Sequence, residues 1–179
     1  MKDALTIHRA LLERETLHEI VRLPLAIAHA DELPKALGLP ADRCLVTRVF
    51  ACNDVYRGQR FLAGVIVAAG VRPPAEAVRH AVGARLIRPA RADLVNKVTA
   101  YAAGLVCPLL LPEGMPLLVD QRVIDGLPSD EVVYTATGEA STALGIRALD
   151  LYALSGAKPV DLFGQGRIPD RTGAGSAFF

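Results

Sequence analysis

Apolar residues recur along this chain in two rhythms, every third or fourth position in some stretches and every second in others, and the switches between them predict mixed helices and strands. From about Asp3 to Glu15 the spacing of Leu5, Ile7, Leu11 and Leu12 predicts a short amphipathic helix. Leu17 to Leu23 reads as extended chain that ends at Pro24, because the residue before proline leaves the helical region. His29 to Gly38 predicts one short helix, with Asp31 and Glu32 in its first turn and Gly38 in the left-handed closing position. Pro34 requires that helix to start late, near Leu33. Cys44 to Cys52 and Arg60 to Ala69 follow as strands, and the turn-rich link Asn53 to Gly58 makes them an antiparallel hairpin. Pro73-Pro74 opens a helix to about Val82, Arg85 to Ile87 is a short extended piece, and Ala90 to Val98 is a second helix. Thr99 to Gly114 reads as an ordered loop. Strands are predicted at Met115 to Val119, Val132 to Ala136 and Ser141 to Arg147, then a helix from Ala148 to Leu154 closed by Gly156, then a last strand at Val160 to Phe163.

Hairpins and helical crossovers together predict an α+β (mixed α/β) domain, a mixed, mostly antiparallel sheet or barrel flanked by helices. Its expected extent is 1–163. Beyond it the text changes to Gly, Pro and small polar residues, so 164–179 is expected to be a flexible tail. A length of 179 residues suits one domain with a real core. With 20 Lys and Arg against 19 Asp and Glu, bulk positive charge gives no argument for non-specific nucleic-acid binding. Aromatic residues make up 5%, which argues against a base-stacking platform and leaves the core to Leu, Val, Ile and Ala. The charged N-terminus lacks the apolar run of a signal peptide, and no stretch reaches membrane-span length, so a cytoplasmic setting with no membrane partner is expected.

Candidate chemistry is sparse. Cys44, Cys52 and Cys107 show no paired spacing, which argues against disulfides and a structural zinc. His8, His18, His29 and His80 are scattered and read as surface or capping residues, so no metal and no cofactor is expected. Gly164-Gln-Gly166 lacks the third glycine and the following helix of a dinucleotide loop. Cys107, just before Pro108, is a candidate thiolate nucleophile, but no neighbouring base is identifiable, and a bland loop residue is the favoured reading.

Four pieces in order carry more. Leu-Gly-Leu-Pro precedes the strand Leu45-Val-Thr-Arg-Val-Phe50. Thr99-Ala-Tyr-Ala-Ala-Gly-Leu-Val-Cys-Pro108 comes next, then Leu117-Leu-Val-Asp120, and finally Tyr134-Thr-Ala-Thr-Gly138 leading to Leu149-Asp-Leu. In this order and spacing the chain resembles the YbaK family, the domain also associated with prolyl-tRNA synthetases, from roughly Leu17 to Leu162. The resemblance implies an aminoacyl-tRNA deacylase, which hydrolyses the ester joining a wrong amino acid to tRNA. A synthetase pocket separates small side chains by only about 1–3 kcal/mol, so a second hydrolytic sieve is needed. The implied partners are the 3′ end of an aminoacyl-tRNA and an aminoacyl-tRNA synthetase.

The family's glycine-to-proline loop is similar to Gly104-Leu-Val-Cys-Pro108, so the resemblance puts the chemistry at Gly104, Cys107 and Pro108. There backbone groups grip the aminoacyl ester, and no protein nucleophile is required. It implies substrate contacts at Thr47, Arg48, Tyr101, Leu105, Val106, Asp120 and Gly138. Asp120 also reads as a strand-ending turn residue, and Tyr101 and Gly138 as packing or turn positions. The chain departs from the pattern where the family carries a strand lysine: Thr47 stands there, followed by Arg48, which alternation turns to the opposite face. Leu105 replaces a second glycine and Cys107 a serine. These departures keep two other readings in view, a catalytically impaired module that binds an aminoacyl-type ligand or a protein partner, and an unrelated thiol enzyme using Cys107.

Overall fold

Helix α1 (Ala4–Glu13) begins where the Asp3 carboxylate accepts the Thr6 N–H at 2.8 Å, filling one of the amide positions that a helix start leaves open. This computed structural model describes residues 1–164. Ile7 and Leu11, one turn apart, bury the inner face of α1, each contributing roughly 1.5–3 kcal/mol by leaving water. Strand β1 (His18–Arg22) follows. A 3-10 turn over Ala30–Glu32 then leads into α2 (Leu33–Leu37), so the helix does start at Leu33 as Pro34 requires, and Gly38 closes it at φ +65°. Strands β2 (Cys44–Asp54) and β3 (Arg60–Ala68) form the expected antiparallel hairpin. Then come α3 (Ala75–Val82), β4 (Ala84–Pro89), α4 (Ala92–Thr99), β5 (Leu117–Asp120), α5 (Gln121–Gly126), β6 (Val132–Ala136), β7 (Thr142–Arg147), α6 (Ala148–Ser155) and β8 (Lys158–Val160).

Two elements differ from expectation. Helix α5 was not legible because Asp120 reads as the end of a strand. The same carboxylate caps the helix by accepting the Arg122 N–H at 3.1 Å. The last strand lies at Lys158–Val160 rather than 160–163, with Pro159 tolerated because β8 is an edge strand. The expected tail, 164–179, lies outside the described residues from 165 on.

The strands make one mixed, mostly antiparallel sheet in the order β1-β7-β6-β2-β3-β5-β8, with β4 also on β2. Its interior is aliphatic, with Leu45, Ile66, Val119, Leu144 and Ile146 buried in one cluster. Strand β2 holds β3 along one edge. Its other edge has two partners in turn: β6 runs parallel to Cys44 and Leu45, and β4 runs antiparallel to Phe50–Asp54. Between these pairings, from Val46 to Arg48, that edge is unpaired. No helix among the described residues is long and apolar enough to cross a membrane.

Candidate functional site

The unpaired stretch of β2 opens into a cavity of about 370 Å³. Its volume lies at the small end of the about 300–1,000 Å³ usual for ligand pockets. The Val49 carbonyl accepts the Ala90 N–H at 3.0 Å. Backbone polar groups on an antiparallel strand recur on one edge every second residue, so those of Thr47 face the same gap. The Thr47 side chain lines the cavity, and its buried Oγ1 has no hydrogen-bond partner among the described residues.

The opposite wall is the chain after α4. Gly104 sits at φ +83°, and a Cβ there would lie 3.0 Å from the Ala28 carbonyl oxygen and 3.1 Å from His29 Cδ2. Glycine is therefore required both by its backbone conformation and by the close approach of residues 28 and 29. The Gly104 carbonyl accepts the Ala30 N–H at 2.8 Å, which ties this wall to the 3-10 turn. Gly104 and Val106 line the cavity and Leu105 and Cys107 do not; Leu105 packs in one core cluster and Cys107 in another, which Val106 also joins. The Ala103 N–H donates to Asn96 Oδ1 at 2.7 Å and the Leu105 N–H to the Ala102 carbonyl at 3.0 Å. The N–H groups of Gly104 and Val106 find no acceptor among the described residues.

At the cavity mouth four charged or titratable side chains meet. Arg48 grips Asp31 with two nitrogens, at 3.1 and 2.9 Å, and its Nε donates to the Val71 carbonyl at 2.7 Å. Its side chain is only 9% exposed, so this guanidinium is committed to the scaffold rather than available to a substrate. The Gly70 N–H adds a third contact to Asp31 at 2.9 Å. Burial pushes the Asp31 carboxyl up, but the Arg48 and Gly70 hydrogen bonds and the Arg48 charge outweigh it and hold the group below its ordinary value. His29 Nδ1 lies 3.1 Å from the same carboxylate, and the exposed Arg72 approaches it to 3.9 Å. His29 caps the 3-10 turn, as the sequence led us to expect of a histidine, yet its ring also forms part of the cavity wall. Its signal was the following acidic pair, Asp31 and Glu32, whose proximity in space could not be read from one strand of text.

The structure brings Thr47, Arg48, Gly104 and Val106 to this cavity and leaves the other candidates elsewhere. Tyr101 is fully buried and donates its hydroxyl to the Leu109 carbonyl at 2.7 Å. The Cys107 thiol is also fully buried, and burial pushes it up to about 12, opposite to what a nucleophilic thiolate needs. Burial likewise holds Cys44 and Cys52 up at about 11. Leu105 packs with Leu23 and Ile27 in the core. Pro108 borders a different hollow, beside α1. Asp120 is engaged as the cap of α5 and bonds Arg122 Nε at 3.2 Å. Gly138, at φ +92°, lets Lys2 and Tyr101 approach, since a Cβ there would lie 2.5 Å from the Lys2 carbonyl oxygen and 2.8 Å from the Tyr101 ring. Among the described residues no group of three or more His, Cys, Asp or Glu is arranged to hold a metal ion.

Comparison with known proteins gives this geometry a family. Among solved structures, a crystal structure of a hypothetical protein is similar with a TM-score of 0.72 and 22% identity, covering 87% of this chain and 97% of its own. A scaffold used for epitope backbone grafting is similar at a TM-score of 0.69 and 24% identity, covering 87% and 93%. A candidate trans-editing enzyme for prolyl-tRNA synthetase is similar at a TM-score of 0.69 and 25% identity, with the same coverage of 87% and 93%. No curated protein matches the chain with significance. The family model described as the aminoacyl-tRNA editing domain matches residues 26–154, a span that contains the whole cavity, β2 and the Gly104 wall, and the chain belongs to that family.

Proposed function

We propose that this protein is a trans-acting deacylase that hydrolyses the ester of a mischarged aminoacyl-tRNA, and that it works in the cytoplasm on tRNA charged by a synthetase. The observation that carries this reading is the convergence of unpartnered hydrogen-bonding groups on one small cavity. Gly104 and Val106, whose N–H groups have no acceptor among the described residues, line one wall, and Thr47, on the unpaired edge of β2, lines the other. Donors fixed in a scaffold before the substrate arrives stabilise charge that develops on a carbonyl oxygen, and removing one such donor typically costs about 10²–10³ in rate. Water attacks the ester carbonyl, the Gly104 and Val106 amides receive the oxyanion, and the cavity admits one small aminoacyl group. The similarity to a candidate trans-editing enzyme for prolyl-tRNA synthetase, over 93% of that chain, supports action in trans.

A panel of tRNAs charged with wrong small amino acids tests the reading. The protein is expected to release one or more of them faster than the buffer control. Release from none of them overturns it. Cys107→Ser is expected to keep the full rate, since the thiol is sealed in the core.

One observation favours a second reading, a binding module that has lost catalysis. Arg48, the cation nearest the unpaired stretch of β2, is held by Asp31 and the Val71 carbonyl. On this reading the protein retains a nonhydrolysable aminoacyl-adenosine ester analogue in equilibrium dialysis yet leaves every charged tRNA intact.

A further inference from the structure

We propose that the outer part of the sheet formed by β3, β2 and β4 holds the sugar–phosphate backbone of the tRNA, with Arg60 and Arg88 on that surface and Arg72 at the cavity rim. The inference rests on the deacylase reading above. The chain's charge is unevenly placed. Residues 54–99 carry eight Lys and Arg against three Asp and Glu, a surplus of five in a chain whose net charge is +1. The three acids are already engaged, Glu76 with Arg79 at 3.0 Å, Asp93 with Arg91 at 3.2 Å, and Asp54 with the Tyr56 N–H at 3.1 Å. Arg60, Arg72, Arg85, Arg88 and Lys97 are all exposed. Of these five, only Arg72 comes near a carboxylate among the described residues, that of Asp31 at 3.9 Å.

Strand register puts part of this surplus in line with the cavity. Residues two apart on a strand share a face, and directly opposed residues on paired strands share it too. Thr47, which lines the cavity, therefore shares its face of β2 with Val49, Ala51 and Asn53. Ala51 is opposed by Leu62 on β3 and Arg88 on β4, and Asn53 by Arg60 and Leu86. The other face of these strands carries Phe50, Cys52, Ala63 and Val65, packed in one cluster with Ala77 and Val78 of α3. At its outer end the Thr47 face is open, and Leu86 there is 60% exposed. The arginines at Ala51 and Asn53 stand about 13 and 20 Å along the strand from Thr47. The path between is continuous, because Pro89 and Ala90, the residues after Arg88, line the cavity themselves.

The substrate's chemistry asks for such a surface. The ester sits on the last ribose of a polyanion, so a chain of phosphates leaves any cavity that holds the ester. Arg48, the cation beside Thr47, is committed to Asp31 and the Val71 carbonyl. The phosphates must then be met further out, where the free arginines are. Arginine suits them, because its fork of donors bonds two phosphate oxygens at once. Contacts of this kind fix the position of the strand without reading its sequence.

The test measures binding and catalysis separately on the full chain. Arg60→Gln, Arg72→Gln and Arg88→Gln each remove a charge from an exposed side chain, and each is expected to weaken binding of uncharged tRNA by about 2- to 5-fold. The triple variant is expected to lose about 10-fold or more. Its plot of log affinity against log salt should flatten by about 2, since each phosphate contact to a single strand contributes a slope of about 0.7. KM for a mischarged tRNA should rise in parallel with little change in kcat. Cleavage of an aminoacyl ester of adenosine, which lacks the backbone, should keep its wild-type rate. Wild-type affinity and salt slope in the triple variant overturn the proposal and leave the deacylase reading intact, whether the arginines then meet an acidic protein surface or only water. An equal loss in a double variant of exposed cations elsewhere, Arg9→Gln with Arg14→Gln, also overturns it, because overall charge would then account for the attraction. A protein that binds tRNA through this face yet hydrolyses no charged tRNA overturns the deacylase reading alone.

Discussion

Two hollows of nearly equal volume open along the chain that follows α4, and they differ in what their polar groups are doing. One, of about 390 Å³, lies between α1, the loop from Pro108 to Met115 and the end of α6. The other is the cavity of about 370 Å³ at the unpaired stretch of β2. Around the first, several side chains are already matched, although the N–H groups of Leu110, Leu111, Glu113 and Gly114 have no acceptor among the described residues. The Leu109 carbonyl accepts the Tyr101 hydroxyl, the Leu110 carbonyl accepts Lys2 Nζ, and Ser155 Oγ donates to the Tyr152 carbonyl. Around the second, Thr47 Oγ1 and two backbone N–H groups have no partner among the described residues. A protein interior pairs nearly all its buried polar groups, so the buried, unpartnered Thr47 Oγ1 and the glycine that the facing wall requires favour the second hollow on the proposed reading.

The largest effect expected from this contrast is at Gly104. Gly104→Ala adds a methyl 3.0 Å from the Ala28 carbonyl oxygen and 3.1 Å from His29 Cδ2, in a backbone conformation that costs a non-glycine residue about 1–3 kcal/mol. Deacylation is expected to fall by about 10²-fold or more as the Gly104 amide is pushed from its place in the wall. Its counterpart is Ala10→Leu, which narrows the hollow beside α1 and is expected to leave the rate within about twofold, since Ala10 lies outside the cavity of the proposed site. Steady-state kinetics on one mischarged tRNA check both. Equal losses from the two substitutions would erase the contrast.

Most of the architecture was legible because it depends on local signals. The hairpin of β2 and β3, the late start of α2 at Leu33 and the closing Gly38 all follow from proline, glycine and alternation. The Gly104 wall was legible through the resemblance, and Thr47 with it. What could not be read was which candidates converge. Cys107 and Leu105 are one residue from Val106 and Gly104, and only the folded path of the segment decides that Leu105 and Cys107 are kept from the cavity while Val106 reaches it from the core. Arg48 was a tempting cation until its contacts with Asp31, seventeen residues earlier, and Val71, twenty-three residues later, were in view. Asp120 carried two readings in sequence, and α5 reveals it as a helix cap. His29 read as a surface or capping residue and does cap the 3-10 turn, but a lone histidine in sequence does not show that its ring also stands on the cavity wall.

The next effect concerns the scaffold that holds the cavity mouth. Breaking a buried ion pair typically costs about 3–5 kcal/mol, and Asp31 is 22% exposed, so Arg48→Met is expected to cost less, about 2 kcal/mol. The pH dependence carries a sign. The folded Asp31 carboxyl titrates below its unfolded value, which is near 3.9, so its contribution is complete above that value and is lost as pH falls through the folded one. Arg48→Met should therefore melt lower than wild type at neutral pH and converge with it in strong acid. Thermal unfolding followed between about pH 2 and 7 measures this. Parallel curves at every pH would mean that Arg48 contributes packing rather than charge. The hollow beside α1 contains no such pair, so the Ala10→Leu melting curve is expected to keep the wild-type acid dependence.

The smallest effect gives the sharpest version of the contrast, because it sets two chemically identical orphans against each other. Thr47 and Thr135 each bury a hydroxyl oxygen with no partner among the described residues. They sit on neighbouring strands, Thr135 beside Leu45 in the β6 pairing and Thr47 two residues further along β2. Leaving such a group unsatisfied costs about 1–3 kcal/mol, and valine fills nearly the same space without the cost. Thr135→Val is expected to raise stability by up to about 1 kcal/mol and leave deacylation unchanged, since Thr135 does not line the cavity. Thr47→Val is expected to match that gain and to lose rate by about 5- to 10-fold, the net worth of one neutral hydrogen bond being about 1 kcal/mol. Urea denaturation and single-turnover deacylation of both variants separate the two. If Thr47→Val gains stability and keeps its rate, its hydroxyl is an orphan like the other, and substrate contact at that wall falls to the backbone of β2 alone.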